Sequence, residues 1–278
     1  MNYYVISSVS DALTRFNAGN SVCEIREDLD FSDQNVNIAD NCVLRFNGGR
    51  FLNAHISSNN CIIESPLIKI FQNCTFSGNF LNINIFQIEW FVDNYETSFV
   101  FNSTKDARDE IQGAINSGIK KIHFNNVKYF PISGTLTINN NIDITGVKRH
   151  LDASKTWFLH EPCIYSKDVV TLLRYNFDAS SGNPSQSKPR LSIEGLNLCC
   201  CKPFVNGESG VETPIVEINN VGSLSLWGLF IDINVIVANG NQLISDGFRY
   251  TGIKVYSHTM PITFIELAGS KSHITFGN

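Results

Sequence analysis

Short strands punctuated by asparagine and glycine recur along the first third of this chain, too closely spaced for helices to lie between them. Residues 41 to 60 read NCVLRFNGGRFLNAHISSNN, and NCTFSGNF follows at 73 to 80. In CVLRF the alternation places Cys42, Leu44 and Phe46 on one face, as a half-buried strand requires. Such short strands offer little pairing within one hairpin. We therefore expect each to be one side of a coil that pairs in parallel with the next coil, about 4.8 Å away.

Asparagine is abundant, with 32 residues, many of them at the ends of these runs. It tolerates the left-handed backbone that tight corners need, and its amide can bond to an equivalent asparagine in the next coil. The pattern favours an all-β parallel β-helix. A loop-rich β-sandwich, with strands spaced by about 8 to 12 residues, is the alternative.

The segment from 106 to 118, DARDEIQGAINSG, predicts the one helix of the chain. Ile111, Ala114 and Ile115 form an apolar stripe, and acidic residues occupy the first turn. Strands return after it, and the IVEI and FIEL segments start 49 residues apart, at 215 and 264, which suits two coils of roughly 24 residues. The last strand, HITFGN, carries no capping signal, so we expect the native chain or a fibre to continue.

Composition and charge narrow the classes of partner. The chain is 43% hydrophobic and 17% charged, with a formal charge of -5, which predicts a folded protein without a basic stripe for nucleic acid. No apolar run reaches the roughly 18 residues that cross a bilayer, and the start, MNYYVISSVSDAL, has no signal-peptide pattern. We expect no nucleic-acid binding and no membrane insertion.

The cysteines are expected to be reduced thiols that pack in the interior, because three adjacent cysteines cannot all face one side of a strand. They are Cys23, Cys42, Cys61, Cys74, Cys163, Cys199, Cys200 and Cys201. Neither a C-x-x-C pair nor histidines three to five apart exist in the sequence. No metal or other cofactor is expected.

Two stretches, EWFVDNY and DARDEIQGAINSGIKKIHFNNVKYFPISGTLTINNNIDITG, resemble the opening of pectate-lyase-like right-handed parallel β-helices, especially those of bacteriophage tailspikes. The matching positions are Glu89, Trp90, Phe91, Asp109, Ile111, Gln112, Ala114, Ile115, Pro131, Gly134, Leu136, Ile138, Ile144 and Gly146. Val92 and Asp93 stand where Gly-Ala is usual, and VDNYETSFVFNSTKD replaces a glycine-rich segment. The stretch from 41 to 91 resembles the short leader of such proteins. These motifs are structural, and none is a catalytic signature.

The resemblance implies a right-handed parallel β-helix with a leader over residues 1–92 and a larger stack over 93–278, capped by a helix at about 105–118. It implies a homotrimeric bacteriophage tail spike or fibre that binds other tail proteins and a host surface polysaccharide, with or without depolymerase activity. Such a virion part is assembled in the host cytoplasm. A secreted polysaccharide lyase or glycoside hydrolase is the second reading, and a purely structural virion subunit or adhesin is the third.

The catalytic residues of an enzyme remain unknown at this stage. Glycoside hydrolysis uses two carboxylates about 5 to 9.5 Å apart. Glu217 and Glu266 occupy similar strand positions and would be about 9.6 Å apart if they stood two coils apart in one column. Solvated, outward-facing glutamates are the commoner meaning of this pattern, and Asp232 and Asp246 have no better claim.

Aromatic residues offer a binding alternative, because sugar faces are apolar and can stack on large flat rings. Core packing is the competing explanation for each ring. The candidates are Trp157, Phe158, Trp227 and Phe230.

Overall fold

The structure is a computed structural model, and it consists mostly of β-strands in curled, largely parallel sheets. The chain divides into two compact units, Met1–Asp93 with Gly113–His123, and Asn94–Gln112 with Phe124–Asn278. The residues that the structure describes are 1–80, 85–125, 128–140, 142–146, 162–169, 171–178, 191–201, 215–221, 230–239, 242–244, 253–256 and 274–277.

The first unit is built from parallel strands at nearly constant spacing along the chain. Its elements are β1 (Asn2–Ile6), α1 (Val9–Ala18), β2 (Ser21–Ile25), β3 (Leu29–Ile38), β4 (Cys42–Phe46), β5 (Phe51–Glu64), β6 (Phe71–Phe80), β7 (Phe86–Gln87), a 3-10 helix (Ile88–Trp90) and β8 (Lys121–His123). Paired residues in β1 to β6 lie 19 to 22 positions apart, from Asn2 with Ser21 to Leu29 with Phe51. The predicted parallel pairing of successive short strands is confirmed here.

Phenylalanines from successive strands form the interior of the first unit. The ring of Phe51 lies 5.1 Å from that of Phe31, 4.9 Å from Phe46 and 6.2 Å from Phe71, in edge-to-face geometry. All four rings are buried. Each such pair contributes about 0.5–1.5 kcal/mol beyond the area it buries.

Asparagines make the corners of the first unit and bond to one another between coils. Asn20, Asn41, Asn53 and Asn73 have φ of 47°, 59°, 50° and 52°, in the left-handed region. The amide of Asn41 donates to Asn20 Oδ1 at 3.1 Å, that of Asn60 donates to Asn41 Oδ1 at 3.1 Å, and that of Asn73 donates to Asn53 Oδ1 at 3.0 Å. The predicted asparagine ladders are confirmed.

The prediction of a single helix is wrong, because α1 occupies Val9–Ala18. The Ser8 hydroxyl accepts a hydrogen bond from the backbone of Asp11 at 3.2 Å, which satisfies a free N–H at the helix start. Ala12 and Phe16, four residues apart on one face, are fully buried. The helix is polar elsewhere, so its apolar face is too narrow to stand out in the sequence.

The helix predicted between the two halves is confirmed as α2 (Arg108–Asn116). Its predicted apolar stripe, Ile111, Ala114 and Ile115, is buried. The Asp106 carboxylate accepts from the backbone N–H of Arg108 at 3.0 Å and so caps the first turn.

The second unit carries longer coils. Its strands are β9 (Tyr129–Pro131), β10 (Leu136–Ile138), β11 (Ile142–Thr145), β12 (Cys163–Ser166), β13 (Leu173–Asp178), β14 (Leu191–Cys200), β15 (Val216–Val221), β16 (Phe230–Asn239), β17 (Gln242–Ile244), β18 (Ile253–Tyr256) and β19 (Ile274–Gly277). β10, β13, β15, β18 and β19 form one parallel sheet in that order. Leu173 pairs with Val216, and Val216 pairs with Ile253, at offsets of 43 and 37 residues. The coil of roughly 24 residues predicted from Val216 onward is therefore too short.

Candidate functional site

Glu217, a predicted catalytic carboxylate, is the partner of an arginine on the neighbouring strand. Its Oε2 atom lies 2.9 Å from Nε of Arg174. The register continues from Glu217 to Lys254 and from Lys254 to Thr275. The position two coils from Glu217 is therefore Thr275, and the predicted placement of Glu266 in this column is wrong.

The other predicted site residues contribute no described site. Glu266, Asp246, Trp157, Phe158 and Trp227 lie outside the described residues. Asp232 lies in β16, where its register partner is Glu194, and Phe230 begins the same strand opposite Ser192.

A cleft in the second unit gathers side chains that the sequence did not single out. Its volume is about 70 Å³, well below the roughly 300–1,000 Å³ of pockets that enclose a small molecule. Apolar residues contribute one part of the lining: Phe101, Pro131, Ile132 and Tyr165. Polar residues contribute the other part: Ser103, Lys105, Asp106, Ser133, Ser166, Lys167 and Asp168.

Glu96 holds the loop that forms one side of the cleft. Its two oxygens accept from Ser103 Oγ at 2.8 Å and from Lys105 Nζ at 3.2 Å. These two hydrogen bonds lower the pKa of the Glu96 carboxyl. The loop is anchored further where Tyr165 Oη donates to the backbone carbonyl of Val100 at 2.9 Å.

Asp106 joins the cleft to the start of α2. Its carboxylate accepts from Ser133 Oγ at 2.5 Å and from Ser133 N at 3.1 Å, in addition to the Arg108 N–H. Burial acts to raise the pKa of Asp106, but these hydrogen bonds outweigh it and the pKa is lowered. Asp106 is therefore an ionised acceptor at neutral pH and is unsuited to donate a proton as a general acid.

The opposite side of the cleft is a turn after β12. The Ser166 hydroxyl accepts from the backbone N–H groups of Asp168 at 3.1 Å and Val169 at 3.2 Å. This turn presents Lys167 and Asp168, whose side chains are 40% and 49% exposed and lie 3.2 Å apart. Burial raises the pKa of the Tyr165 phenol, so this hydroxyl stays neutral.

The combination suits recognition of a polar surface group. Hydroxyl, ammonium and carboxylate groups surround the half-buried ring of Phe101, and such a mixture fits both the polar edge and the apolar face of a sugar. The two carboxyls with shifted pKa in and beside the cleft, Asp106 and Glu96, are both stabilised as anions. The cleft therefore has the chemistry of binding more than that of glycoside cleavage, which needs a protonated carboxyl.

All eight cysteines are buried, which confirms the predicted packing role. Cys199 and Cys201 point to the same side of β14, with their sulfurs 3.4 Å apart. Burial raises the pKa of the Cys61 thiol to about 12 and that of Cys74 to about 11. Within the described residues no cluster of His, Cys, Asp and Glu could hold a metal ion. None of the helices described there is long and apolar enough to cross a membrane.

The cleft was missed because its residues come from three separate stretches of chain. The one available signal was the Pro131-to-Gly134 turn following Asp106, which the sequence analysis treated as structural. Comparisons with protein-family models, curated proteins and solved structures found no match to this chain. The site is therefore argued from its own residues.

Proposed function

We propose that this chain is a bacteriophage tail spike or tail fibre protein that attaches the virion to a polysaccharide on the host cell surface. The cleft beside Phe101 carries this proposal, because it offers sugar-type contacts on an open surface where a long chain can lie. In this proposal the two units are parts of a right-handed parallel β-helix. The repeated registers of 19 to 22 residues in the first unit support that architecture.

The size of the cleft fits attachment to a polymer. A cavity of about 70 Å³ holds one substituent of a sugar and leaves the rest of the chain on the surface. Affinity then comes from several such contacts along the polysaccharide and from several copies of the protein. A homotrimer, bound to other tail proteins, supplies those copies in the virion.

Binding without cleavage is the form of the proposal that the described carboxylates support. Glu217 is held by Arg174, and Asp106 is held by Ser133. Neither is placed as the protonated acid of a hydrolase. Depolymerase activity, if present, belongs to residues outside those described.

The first test is the native mass of the purified chain by light scattering. One chain weighs 31.0 kDa, and the proposal expects a trimer of that mass. The same sample is then titrated with capsular polysaccharides from candidate host bacteria, with binding followed by calorimetry and chain length by size-exclusion chromatography. We expect binding without shortening of the polysaccharide.

Two variants locate the contact. Phe101→Ala removes the ring beside the cleft, and Lys167→Ala removes an exposed ammonium group from its edge. Each is expected to weaken binding about tenfold, or about 1.4 kcal/mol. Lys120→Ala, at an exposed lysine of the first unit, is the matched control. A monomer that shortens polysaccharide would refute the attachment role and favour a secreted enzyme.

A further inference from the structure

A second surface, on the first unit, presents a regular array of amide and hydroxyl groups. It is formed by the outward-facing residues of β3, β5 and β6, which pair in parallel register in two columns. We call it the amide–hydroxyl face, and its six residues are Asn35, His55 and Thr75 in one column and Asn37, Ser57 and Ser77 in the other.

Alternation along each strand fixes this face outward. Val36 and Ile56, the neighbours of these residues in β3 and β5, are buried in the interior. Ser57 is half-buried and the other five residues of the face are exposed. Successive rows lie about 4.8 Å apart, the spacing of paired strands.

The face carries no carboxylate, ammonium or guanidinium group, unlike other outward positions of the same unit. Arg45 pairs with Glu64 at 2.8 Å, and Arg50 pairs with Asp28 at 2.6 Å. Soluble surfaces normally mix charges of both signs throughout. An exposed patch built only from short uncharged polar groups therefore suits a partner that is itself uncharged and polar.

Hydrogen bonds within the face orient its side chains. His55 Nδ1 lies 2.8 Å from Thr75 Oγ1, and Ser57 Oγ donates to Asn37 Oδ1 at 3.2 Å. These contacts leave the Asn37 amide donors directed to an outside acceptor. Within the described part of the chain, the side chains of Asn35 and Ser77 form no hydrogen bond and are also open to a ligand.

We infer that the amide–hydroxyl face binds a neutral polysaccharide chain. The hydroxyls of a neutral glycan donate and accept hydrogen bonds at regular intervals, as the repeated rows of this face do. The cores of protein interfaces are apolar and depleted in serine, so a protein partner fits less well. Nucleic acid needs lysine or arginine, which the face lacks. This site is separate from the cleft and does not depend on it.

The test is native affinity electrophoresis of the full chain in gels that contain one soluble polysaccharide each. The neutral probes are dextran, mannan and xyloglucan, and the acidic probes are hyaluronan and polygalacturonate. We expect at least one neutral polymer to retard the protein, and the acidic polymers to retard it less.

Two lysine variants probe the face directly. Asn37→Lys and Ser77→Lys each place a long charged chain on it without touching the interior, and together they should raise the dissociation constant about tenfold. Asn17→Lys, at an exposed residue near the end of α1, is the matched control, and Ser77→Thr retains the hydroxyl. Both of these should bind as the wild type does. Thermal melts of every variant verify that the fold is retained.

Each remaining outcome is decisive. If no neutral polymer retards the wild type, or if the lysine variants bind unchanged, the inference is overturned. Loss of binding in Lys167→Ala alone would assign neutral glycan to the cleft and remove it from this face. Loss in the face variants alone would support the inference even if the cleft binds no capsular polysaccharide.

Discussion

The side-chain amide of Asn41 donates to Asn20 Oδ1, 3.1 Å away, and joins one corner of the first unit to the corner of the preceding coil. Both residues have positive φ. Each asparagine thus does two things at once: it accepts a left-handed backbone and supplies a bond between coils. The two contributions are separable by substitution.

Replacement of Asn41 by alanine should lower the free energy of unfolding by about 2 kcal/mol, since alanine in the left-handed region costs about 1 kcal/mol and the lost amide bonds about 1 kcal/mol more. Asn41→Gly keeps the backbone at ease and should lose only the second part. Urea denaturation followed by circular dichroism measures both. Equal losses in the two variants would show that backbone strain plays no part.

Two glycines should respond in opposite ways to the same substitution. A Cβ at Gly78, where φ is 83°, would lie 2.0 Å from the Ser58 carbonyl oxygen, so Gly78→Ala should destabilise by about 3 kcal/mol. A Cβ at Gly113, inside α2, meets nothing within 4 Å, so Gly113→Ala should stabilise by about 0.5–1 kcal/mol. Thermal midpoints of the pair provide the measurement. A stable Gly78→Ala protein would contradict the close approach of these coils.

The sequence predicted best what is local and repeated. Cys42, Leu44 and Phe46 are buried as their alternation required, and the asparagine corners follow from the backbone preference of that residue. Periodicity of this kind is read directly from neighbouring positions. The α1 helix escaped because only Ala12 and Phe16 mark its buried face.

The cleft was beyond reach for a different reason. Lys105, Ser133 and Lys167 are far apart in sequence, and only the pairing of β9 with β12 brings their loops together. Coil length in the second unit sets which residues share a column. An error in that length misplaced Glu266 relative to Glu217, since long-range register is not encoded in local pattern.

Acid should weaken the fold through Glu24, a buried glutamate on β2. A hydrogen bond from Arg26, followed by those from Asn47 and Tyr3, lowers its pKa from 4.5 to about 2. Because the folded-state pKa is depressed, this contribution is fully present above about pH 4.5 and is lost as the pH falls through about 2. Glu24→Gln should melt below the wild type at pH 7, and the gap should close across that window. Glu27→Gln, at an exposed position, is the control and should show no such convergence.

The thiols should be inert in the folded protein. All eight are buried, and burial raises the pKa of Cys61 to about 12 and that of Cys74 to about 11, so little thiolate exists at pH 8. Ellman's reagent should label them slowly in native buffer, and all eight rapidly in 6 M guanidinium. Fast native labelling of several thiols would contradict the buried arrangement.

Glu217 should prove to be a structural residue. It is 18% exposed and its Oε2 lies 2.9 Å from Arg174 Nε, an arrangement that holds neighbouring coils in register. Glu217→Gln and Arg174→Met should each cost no more than about 1 kcal/mol, and a double-mutant cycle should give a coupling of about 0.5–1 kcal/mol, as for other partly exposed pairs. Polysaccharide binding should be unchanged in both variants. If Glu217→Gln instead abolished a measurable cleavage of polysaccharide while leaving stability intact, the residue would be catalytic, and the attachment role would have to give way to that of an enzyme.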